Sequence, residues 1–285
     1  MDARLGLRDE RDVPGHRDRR RVADAFPAPA LREGLTPTDL GLTGRRALVT
    51  ASSRGIGFGC AQALAEEGAQ VFLAARDEVV LAGAAGRISA AGFQGVDLAD
   101  PDQAEQLVAA AVRRLGGLDI LVTNSGDPPA GDFGSSERET WDHAYRLTLL
   151  SAVSLIRAAL PALAESGRGR VVNITSMSAR WSLEGRLFSN TYRPAVTGMA
   201  KTVAAEVATQ GITVNNIAPG WVLTDAVRVG MNAEQIAAAA DSVPVGRLAE
   251  PAEVGALCAF LCSSQASYIT GQTISIDGGL VRSLL

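Results

Sequence analysis

The chain has 285 residues, of which 47% are hydrophobic and 20% are charged, and its formal net charge is −4. This composition can bury the core of an α/β domain, and the weak net charge excludes the strong field that attracts nucleic acid or an anionic membrane. No apolar run approaches the roughly 18 residues of a membrane span, and the charged N-terminus lacks the apolar core of a secretory signal. We therefore expect a cytoplasmic protein with no nucleic-acid or membrane partner.

Residues 1–40 differ from the rest of the chain, because arginine, aspartate and proline dominate them. We interpret them as a flexible N-terminal extension. The arginine run at 17–21 is read as a solvated tail and not as a nucleic-acid arm, since acidic residues interleave with it.

Cysteine and histidine usage bears on disulfides and metal sites. The chain contains Cys60, Cys258, Cys262, His16 and His143. The cysteines lie in apolar helical patterns, one histidine belongs to the extension, and the other lies on a predicted amphipathic helix. The sequence therefore predicts neither a disulfide framework nor a metal site, and no histidine-based triad.

From Gly41 onward, short apolar segments alternate with helical stretches rich in alanine, leucine and glutamate. The predicted strands cover residues 46–50, 71–75, 92–96, 119–123, 170–174, 212–217 and 273–277. Strands that are apolar on both faces and alternate with helices indicate a parallel sheet covered on both sides. We expect residues 41–285 to form a single Rossmann-like, doubly wound, seven-stranded parallel sheet, with ligands bound at the carboxyl ends of its strands.

The segment after the first predicted strand reads TASSRGIGFG, residues 50–59. Small residues and glycines that follow a buried strand and open a helix allow backbone N–H groups to approach a pyrophosphate. The cofactor-binding residues predicted in this turn are Ala51, Ser53, Arg54, Gly55, Ile56 and Gly57.

The end of the second predicted strand distinguishes NADP(H) from NAD(H). A carboxylate there binds the ribose 2′-hydroxyl of NAD, but this sequence has Ala75 at that position and Arg76 after it. Arg54 lies in the neighbouring glycine turn, and two guanidinium groups suit a 2′-phosphate, which favours NADP(H). The alternative is that Arg76 pairs with Asp77 or with solvent.

The remaining strand ends carry small and polar residues. Asp97, after the third strand, can accept a hydrogen bond from an adenine amino group, and the break at Pro219 and Gly220 exposes backbone groups for a carboxamide. The turn after the fourth strand is expected to lie under the cofactor. The further cofactor-binding residues predicted from these ends are Asp97, Leu98, Asn124, Ser125, Gly126, Pro219, Gly220, Val222 and Thr224.

Taken together, these motifs make residues 41–279 resemble the short-chain dehydrogenase/reductase superfamily, and within it the 3-oxoacyl-acyl-carrier-protein reductase-like branch. TASSRGIG matches the TGxxxGIG turn, TNSG matches NNAG, NITS matches the segment of the catalytic serine, and NNIAPGWVLT matches the PGxxxT segment. The resemblance implies an oxidoreductase that acts on a small carbonyl or alcohol substrate, free or carrier-bound. It also implies a homotetramer or homodimer.

The sequence departs from the family at its catalytic centre. The family places YxxxK thirteen residues beyond the catalytic serine, and counting from Ser176 puts Ser189 at the tyrosine position and Arg193 at the lysine position. Thr148 stands where the family has an asparagine that anchors a proton-relay water. Ala51 replaces the first glycine of the cofactor turn, a change that a backbone in the α or β region would tolerate.

These departures affect proton transfer in the family's reaction. The resemblance implies that the family's tyrosine donates the proton, while its lysine lowers the tyrosine pKa and holds the nicotinamide ribose. A serine hydroxyl such as Ser189 is a much weaker acid, and Arg193 keeps the positive charge but cannot release a proton. Arg193 can still bind the ribose hydroxyls of the cofactor and orient an oxyanion, so it is also a predicted cofactor-binding residue. Ser176 can still donate a hydrogen bond to a carbonyl oxygen.

Three functions remain open at this point. The first is a reductase whose proton arrives from water through Ser176, Ser189 or Thr148, or from Tyr192, which stands three residues after Ser189. The second is non-redox chemistry, such as dehydration, isomerisation or cyclisation. The third is a cofactor-bound protein without turnover. The intact cofactor turn favours the reductase.

Two segments are expected to select the substrate. Residues 177–187 carry Arg180 and Arg186, which would meet either an anionic group or solvent. Residues 224–242 are predicted to form a helical lid.

Overall fold

The computed structural model describes residues 39–284, and in that part of the chain the predicted strands all form. Their bounds are β1 Arg46–Thr50, β2 Gln70–Ala75, β3 Gly92–Gly95, β4 Ile120–Thr123, β5 Arg170–Ile174, β6 Thr213–Pro219 and β7 Thr273–Ile276. They pair in parallel in the order β3-β2-β1-β4-β5-β6-β7. The predicted fold class is confirmed; β1 and β5 have the predicted boundaries, and those of the other strands differ by one or two residues.

Helices connect the strands and cover both faces of the sheet. Their bounds are α1 Gly55–Glu66, α2 Glu78–Arg87, α3 Pro101–Leu115, α4 Arg138–Tyr145, α5 Ser151–Glu165, α6 Leu187–Val207, α7 Asp225–Gly230, α8 Ala233–Ser242 and α9 Pro251–Cys262. A π-helical turn, Arg146–Leu150, joins α4 to α5. Side chains cap several N-termini: Asp77 begins α2, Asp100 begins α3 and Asn232 begins α8 with a capping box.

Two hydrophobic cores lie on opposite faces of the sheet, because successive side chains of a strand point to opposite sides. Val49 and Val122 belong to the core that α1 and α9 cover, together with the three buried cysteines. Leu48 and Leu121, their immediate neighbours in sequence, belong to the core that α3, α5 and α6 cover. This double burial explains why the strands read as continuous apolar runs.

The helical stretch from residue 138 to residue 165 is long and apolar enough to cross a membrane by length and composition alone. The sequence shows no uninterrupted apolar run of that length, because charged and polar residues interrupt the stretch. Leu155 and Ile156, on its α5 part, are buried in the second core. Packing inside the fold buries 44% of its most apolar 18-residue window.

The amino ends of three strands are tied together by a buried aspartate. Asp119, directly before β4, is fully buried, and its carboxylate lies 2.8 Å from Nε of Arg46 and 3.2 Å from Nε of Arg168. Nε of the buried Arg45 lies 3.9 Å from the same carboxylate. One acid therefore compensates the charges of arginines from the starts of β1 and β5, at the end of the sheet opposite the predicted cofactor site.

The predicted flexible extension, residues 1–40, lies outside the described residues apart from its last two positions. Its boundary with the α/β domain stays a prediction.

Candidate functional site

A cleft of about 710 Å³ opens at the carboxyl ends of the strands. It crosses the place between β1 and β4 where the strand order reverses, which is where doubly wound sheets bind ligands. Thirteen of the residues predicted from the sequence form part of its wall: Ala51, Ser53, Arg54, Gly55, Ile56, Arg76, Asp97, Leu98, Asn124, Ser125, Gly126, Arg193 and Thr224.

The turn after β1 is fastened to the turn after β4. Oγ1 of Thr50 accepts a hydrogen bond from the backbone N–H of Asn124 at 2.9 Å, and Nδ2 of Asn124 donates to the carbonyl of Ala51 at 3.3 Å. A Cβ on Gly57 would overlap the Ala51 carbonyl oxygen, so Gly57 lies beneath the turn instead of in the cleft wall. Its glycine is required by this close approach.

The expectation for the backbone of Ala51 is wrong. Its φ is +46°, in the left-handed region, and not in the α or β region. The position therefore suits the glycine that the family has, because a Cβ destabilises this conformation. The local sequence did not reveal this, since the tie to Asn124, 73 residues away, helps to set the shape of the turn.

Replacing Ala51 with glycine is expected to raise the free energy of unfolding by about 1 kcal/mol, because glycine relieves the strain at positive φ. Chemical denaturation would measure the change. As a control, Ala82→Gly on the exposed face of α2 should lower the free energy by up to about 1 kcal/mol, since φ there is helical. A loss of stability in both variants would contradict the strain at Ala51.

The end of the cleft beside the carboxyl ends of β1 and β2 carries two exposed arginines, Arg54 and Arg76. The suggested pairing of Arg76 with Asp77 is not found, because Asp77 caps α2 by accepting from the N–H groups of Val79 and Val80. Within residues 39–284, no carboxylate lies within 4 Å of either guanidinium. Both cations are therefore free to meet an anion in the cleft.

Asp97 lies at the same end and keeps one carboxylate oxygen open. Its Oδ1 accepts from the N–H of Ala99 at 3.0 Å, and its own N–H donates to Oε1 of Gln103. These two hydrogen bonds hold the residue in the cleft wall.

At the opposite end, the guanidinium of Arg193 is almost fully buried. Nη1 donates to the carbonyl of Ile174 at 2.8 Å, and Nη2 lies 4.0 Å from Oδ1 of Asp127. Nε has no hydrogen-bond partner among the described residues. Burial lowers the pKa of Arg193, and the nearby Asp127 charge offsets part of that effect. The cleft thus has a buried cation with an unused donor.

The predicted catalytic serines are linked through a third serine. Oγ of Ser178 lies 2.8 Å from Oγ of Ser189, and Oγ of Ser176 accepts from the backbone N–H of Ser178. Neither Ser176 nor Ser189 is part of the cleft wall. Ser178 was missed from the sequence, although its place two residues after Ser176 puts it on the same turn.

Thr148 lies in the π-helical turn, where it is buried, and its Oγ1 has no hydrogen-bond partner within residues 39–284. The turn packs against α6, which carries Arg193. Two buried polar atoms without partners, Oγ1 of Thr148 and Nε of Arg193, therefore belong to elements in contact.

Tyr192 was considered both as a proton donor on the face of Ser189 and as a packing residue, and its contacts favour packing. Its hydroxyl donates to the carbonyl of Trp141 at 3.3 Å, and its ring packs against Trp141 and Tyr145. Burial raises the pKa of Tyr192. This aromatic contact holds the phenol outside the cleft wall, so Tyr192 is a packing residue in this structure.

Residues after β6 divide into two groups. Thr224 lines the cleft and caps α7 by accepting from the N–H of Val227. Pro219, Gly220 and Val222 are not part of the wall; Pro219 is the last residue of β6, and Val222 is buried beside Ala249. The predicted role of these three in carboxamide binding stays a prediction.

The two segments expected to select the substrate are residues 177–187 and 224–242, and the arginines of the first do not line the cleft. Arg180 donates to the carbonyl of Thr273 at 2.6 Å, on strand β7, so it is neither directed to the cleft nor left to solvent alone. Arg186 is exposed beside Gly131. The helices predicted in residues 224–242 are α7 and α8, and their function as a lid stays a prediction.

Sequence reasoning also missed Asp127 and His143, which both line the cleft. Asp127 follows the TNSG turn directly, and extending the examination of that strand end by one residue would have found it. His143 precedes Leu147 by one helical turn and shares its face, but the position of that face depends on how α4 packs. No cluster of three or more potential metal ligands occurs within residues 39–284.

Known proteins resemble this chain over most of its length. A family model described as enoyl-(acyl carrier protein) reductase matches residues 50–281. The 3-oxoacyl-(acyl-carrier-protein) reductase FabG of Vibrio cholerae is 36% identical over 245 residues, which cover 85% of this chain and 99% of that protein. Dehydrogenase/reductase SDR family member 4 of Homo sapiens is 34% identical over 252 residues, covering 86% of this chain and 90% of that protein.

Solved structures agree with these relatives. L-sorbose reductase from Gluconobacter frateurii, complexed with NADPH and L-sorbose, has a TM-score of 0.83 and 31% identity, and the match covers 86% of this chain and all of that one. An actinorhodin polyketide ketoreductase with NADPH has a TM-score of 0.79, with 31% identity over 84% of this chain and 98% of that one. With this extent of similarity in sequence and fold, the chain belongs to the short-chain dehydrogenase/reductase superfamily of oxidoreductases, in its 3-oxoacyl-acyl-carrier-protein reductase-like branch.

Proposed function

We propose that the protein is an NADP(H)-dependent oxidoreductase that reduces a ketone or a β-keto (thio)ester, or oxidises the matching alcohol. The observation that carries this proposal is the pair Arg54 and Arg76, which face the adenosine end of the cleft with no carboxylate partner in the described chain. A 2′-phosphate would supply the missing anion. The two related reductase structures that contain NADPH support the same choice.

The residues present fit such a cofactor along the whole cleft. The turn after β1 provides a cradle that leads into the N-terminus of α1, which suits a pyrophosphate. At the other end, Nε of Arg193 is a buried donor without a partner. When bound, NADPH supplies a hydride.

The chain's own residues would then manage the carbonyl oxygen and the proton. Ser176 lies directly after Thr175 of the cleft wall, and from there it would donate a hydrogen bond to the carbonyl oxygen. Arg193, which lines the cleft, would stabilise negative charge near that oxygen. No phenol of residues 39–284 lines the cleft, so the proton would come from water. This water would reach the site through Thr148, because Oγ1 of Thr148 and Nε of Arg193 are buried without partners in the same part of the chain. The hydroxyl of Ser189 lies 2.8 Å from that of Ser178, and this pair of hydroxyls would take part in the same proton relay.

Removing the guanidinium of Arg76 should weaken NADPH binding about tenfold or more, because a charge-assisted contact with the 2′-phosphate is lost. NADH binding should change by less than about twofold, since NADH lacks that phosphate. Nicotinamide fluorescence titrations of Arg76→Ala would measure both, with Arg157→Ala on the exposed side of α5 as the matched control. Equal weakening of NADPH and NADH would contradict the assignment.

Turnover tests the proposal directly. Purified protein is assayed with NADPH against ketones and β-keto thioesters, and with NADPH that carries deuterium at the transferring position. A reductase should consume NADPH and show a primary deuterium isotope effect. Absence of NADPH binding would overturn the proposal.

A second function is favoured by one observation, namely that Tyr192 and Ser189 both direct their hydroxyls to protein atoms. A non-redox enzyme, such as a dehydratase, isomerase or cyclase, transfers no hydride and so needs no phenol to protonate a carbonyl oxygen that has been reduced. It would convert a carbonyl substrate without any change in nicotinamide absorbance, so the same assay separates the two functions.

We also propose, from the resemblance, that the protein is a homotetramer or homodimer in the cytoplasm. Analytical ultracentrifugation tests the assembly, and cell fractionation tests the location.

A further inference from the structure

Asp127 differs from Asp77 and Asp97, two other acids that line the cleft, in its surroundings. It is the first residue after the TNSG turn that follows β4, and its side chain is 81% exposed. Asp77 caps α2, and Asp97 accepts from the N–H of Ala99. Asp127, by contrast, accepts no hydrogen bond from the described part of the chain, and the charged group near it is Arg193 at 4.0 Å.

The two groups form an incomplete pair. Nη2 of Arg193 and Oδ1 of Asp127 are too far apart for a hydrogen bond, and Nε of Arg193 is buried without a partner. The guanidinium is held in place by the carbonyl of Ile174, whereas the carboxylate of Asp127 is exposed. The pair therefore presents unused donors and unused acceptors to the same part of the cleft.

Topology places this pair at one half of a bound dinucleotide. Arg76, Asp97 and the ends of β2 and β3 lie on the adenosine side of the switch point. Asp127 follows β4, and Arg193 is fixed to the end of β5, so both lie on the other side. In a doubly wound sheet, that side receives the second nucleoside of the dinucleotide.

The family resemblance already implies a ribose contact for Arg193; we propose that Asp127 is a further cofactor-binding residue, which holds the ribose diol of the nicotinamide half from the other side. A vicinal diol both donates and accepts hydrogen bonds. Asp127 would accept from its hydroxyls, and Arg193 would donate to them. This inference rests on the proposed use of NADP(H). It also explains why an acid lies in a cleft that is proposed to bind phosphates. A carboxylate with no role in binding would repel such a ligand.

Half-molecule probes test the inference. Adenosine 2′,5′-bisphosphate carries the adenosine half of NADPH and lacks the nicotinamide ribose. In Asp127→Ala, Kd for NADPH should rise about tenfold, whereas Kd for the bisphosphate should stay unchanged or fall slightly. Asp132→Asn, which removes a charge from the same loop outside the cleft wall, should change neither Kd. Because Asp127 is exposed, its replacement should leave the melting temperature unchanged.

A cofactor analogue gives a second readout. NADPH without the 2′-hydroxyl on its nicotinamide ribose should bind wild-type protein more weakly, and Asp127→Ala should add little further loss. Tighter binding of both NADPH and the bisphosphate by Asp127→Ala would mean that Asp127 only repels phosphates, and it would overturn this inference alone. Failure of the wild-type protein to bind NADPH would overturn the proposed function and this inference together.

Discussion

Replacing Ser189 with tyrosine and Arg193 with lysine in one protein is expected to raise the rate of carbonyl reduction by about a hundredfold or more. A positioned general acid contributes about 10²–10⁴-fold to rate, and Ser189 is a poor general acid because an aliphatic hydroxyl is far less acidic than a phenol. The double variant restores the phenol at the position counted from Ser176 and places beside it an ammonium group that favours phenolate.

The experiment assumes that Ser189 and Arg193 match the family's tyrosine and lysine, and this match stays a prediction. Ser189 and Arg193 lie one turn apart on α6, with Ser189 in contact with Ser178 and Arg193 bound to the end of β5. A lysine at position 193 keeps a donor that can reach the carbonyl of Ile174. A tyrosine at position 189 must break the hydroxyl pair with Ser178, which is only partly buried.

The matched control replaces Ser189 with phenylalanine in the Arg193→Lys background, which adds the ring without the hydroxyl. Steady-state kcat with NADPH and a reactive ketone is measured for both double variants. A gain in the tyrosine variant alone assigns the effect to the phenol. An unchanged or reduced rate in a folded tyrosine variant, with NADPH binding intact, would contradict the register.

The largest loss of stability is expected from Asp119→Ala, at about 3–5 kcal/mol of unfolding free energy. Asp119 is fully buried and pairs with Arg46 and Arg168, while Arg45 lies buried beside it. Removal of one partner of a buried ion pair leaves uncompensated charge in the interior. Urea denaturation measures the loss, and Asp102→Ala on the first turn of α3 serves as an exposed control.

The same cluster predicts how stability depends on pH. Burial of Asp119 by itself raises the pKa of its carboxyl, but hydrogen bonds and charge from Arg46 outweigh burial and bring it down to about 2. The pKa in the unfolded chain is about 3.9, so the contribution of Asp119 is present above about pH 4 and is lost as pH falls toward 2. Asp119→Ala should show a smaller loss of stability over this interval. Parallel acid-unfolding curves for wild type and variant would contradict this assignment.

Much of the architecture could be predicted from the sequence, because it depends on local patterns. Seven apolar segments alternate with helical ones, and this order alone implies right-handed crossovers and a parallel sheet. The cofactor turn and the arginines Arg54 and Arg76 follow directly from strand ends, so they too were visible in the sequence. The position of Ser189 and Arg193 followed from counting along one helix.

Contacts between distant segments decided what the sequence left open. The carbonyl of Trp141, 51 residues away in sequence, accepts a hydrogen bond from the hydroxyl of Tyr192. The carbonyl of Thr273, 93 residues away, accepts one from the guanidinium of Arg180. The positive φ of Ala51 accompanies a tie to Asn124 on another strand end. The approach of Asp127 to Arg193 joins β4 to α6. Sequence periodicity reports which face of an element is buried, and it therefore determined the sheet of this protein. The partner of each polar side chain depends on packing between elements, which only the tertiary structure specifies.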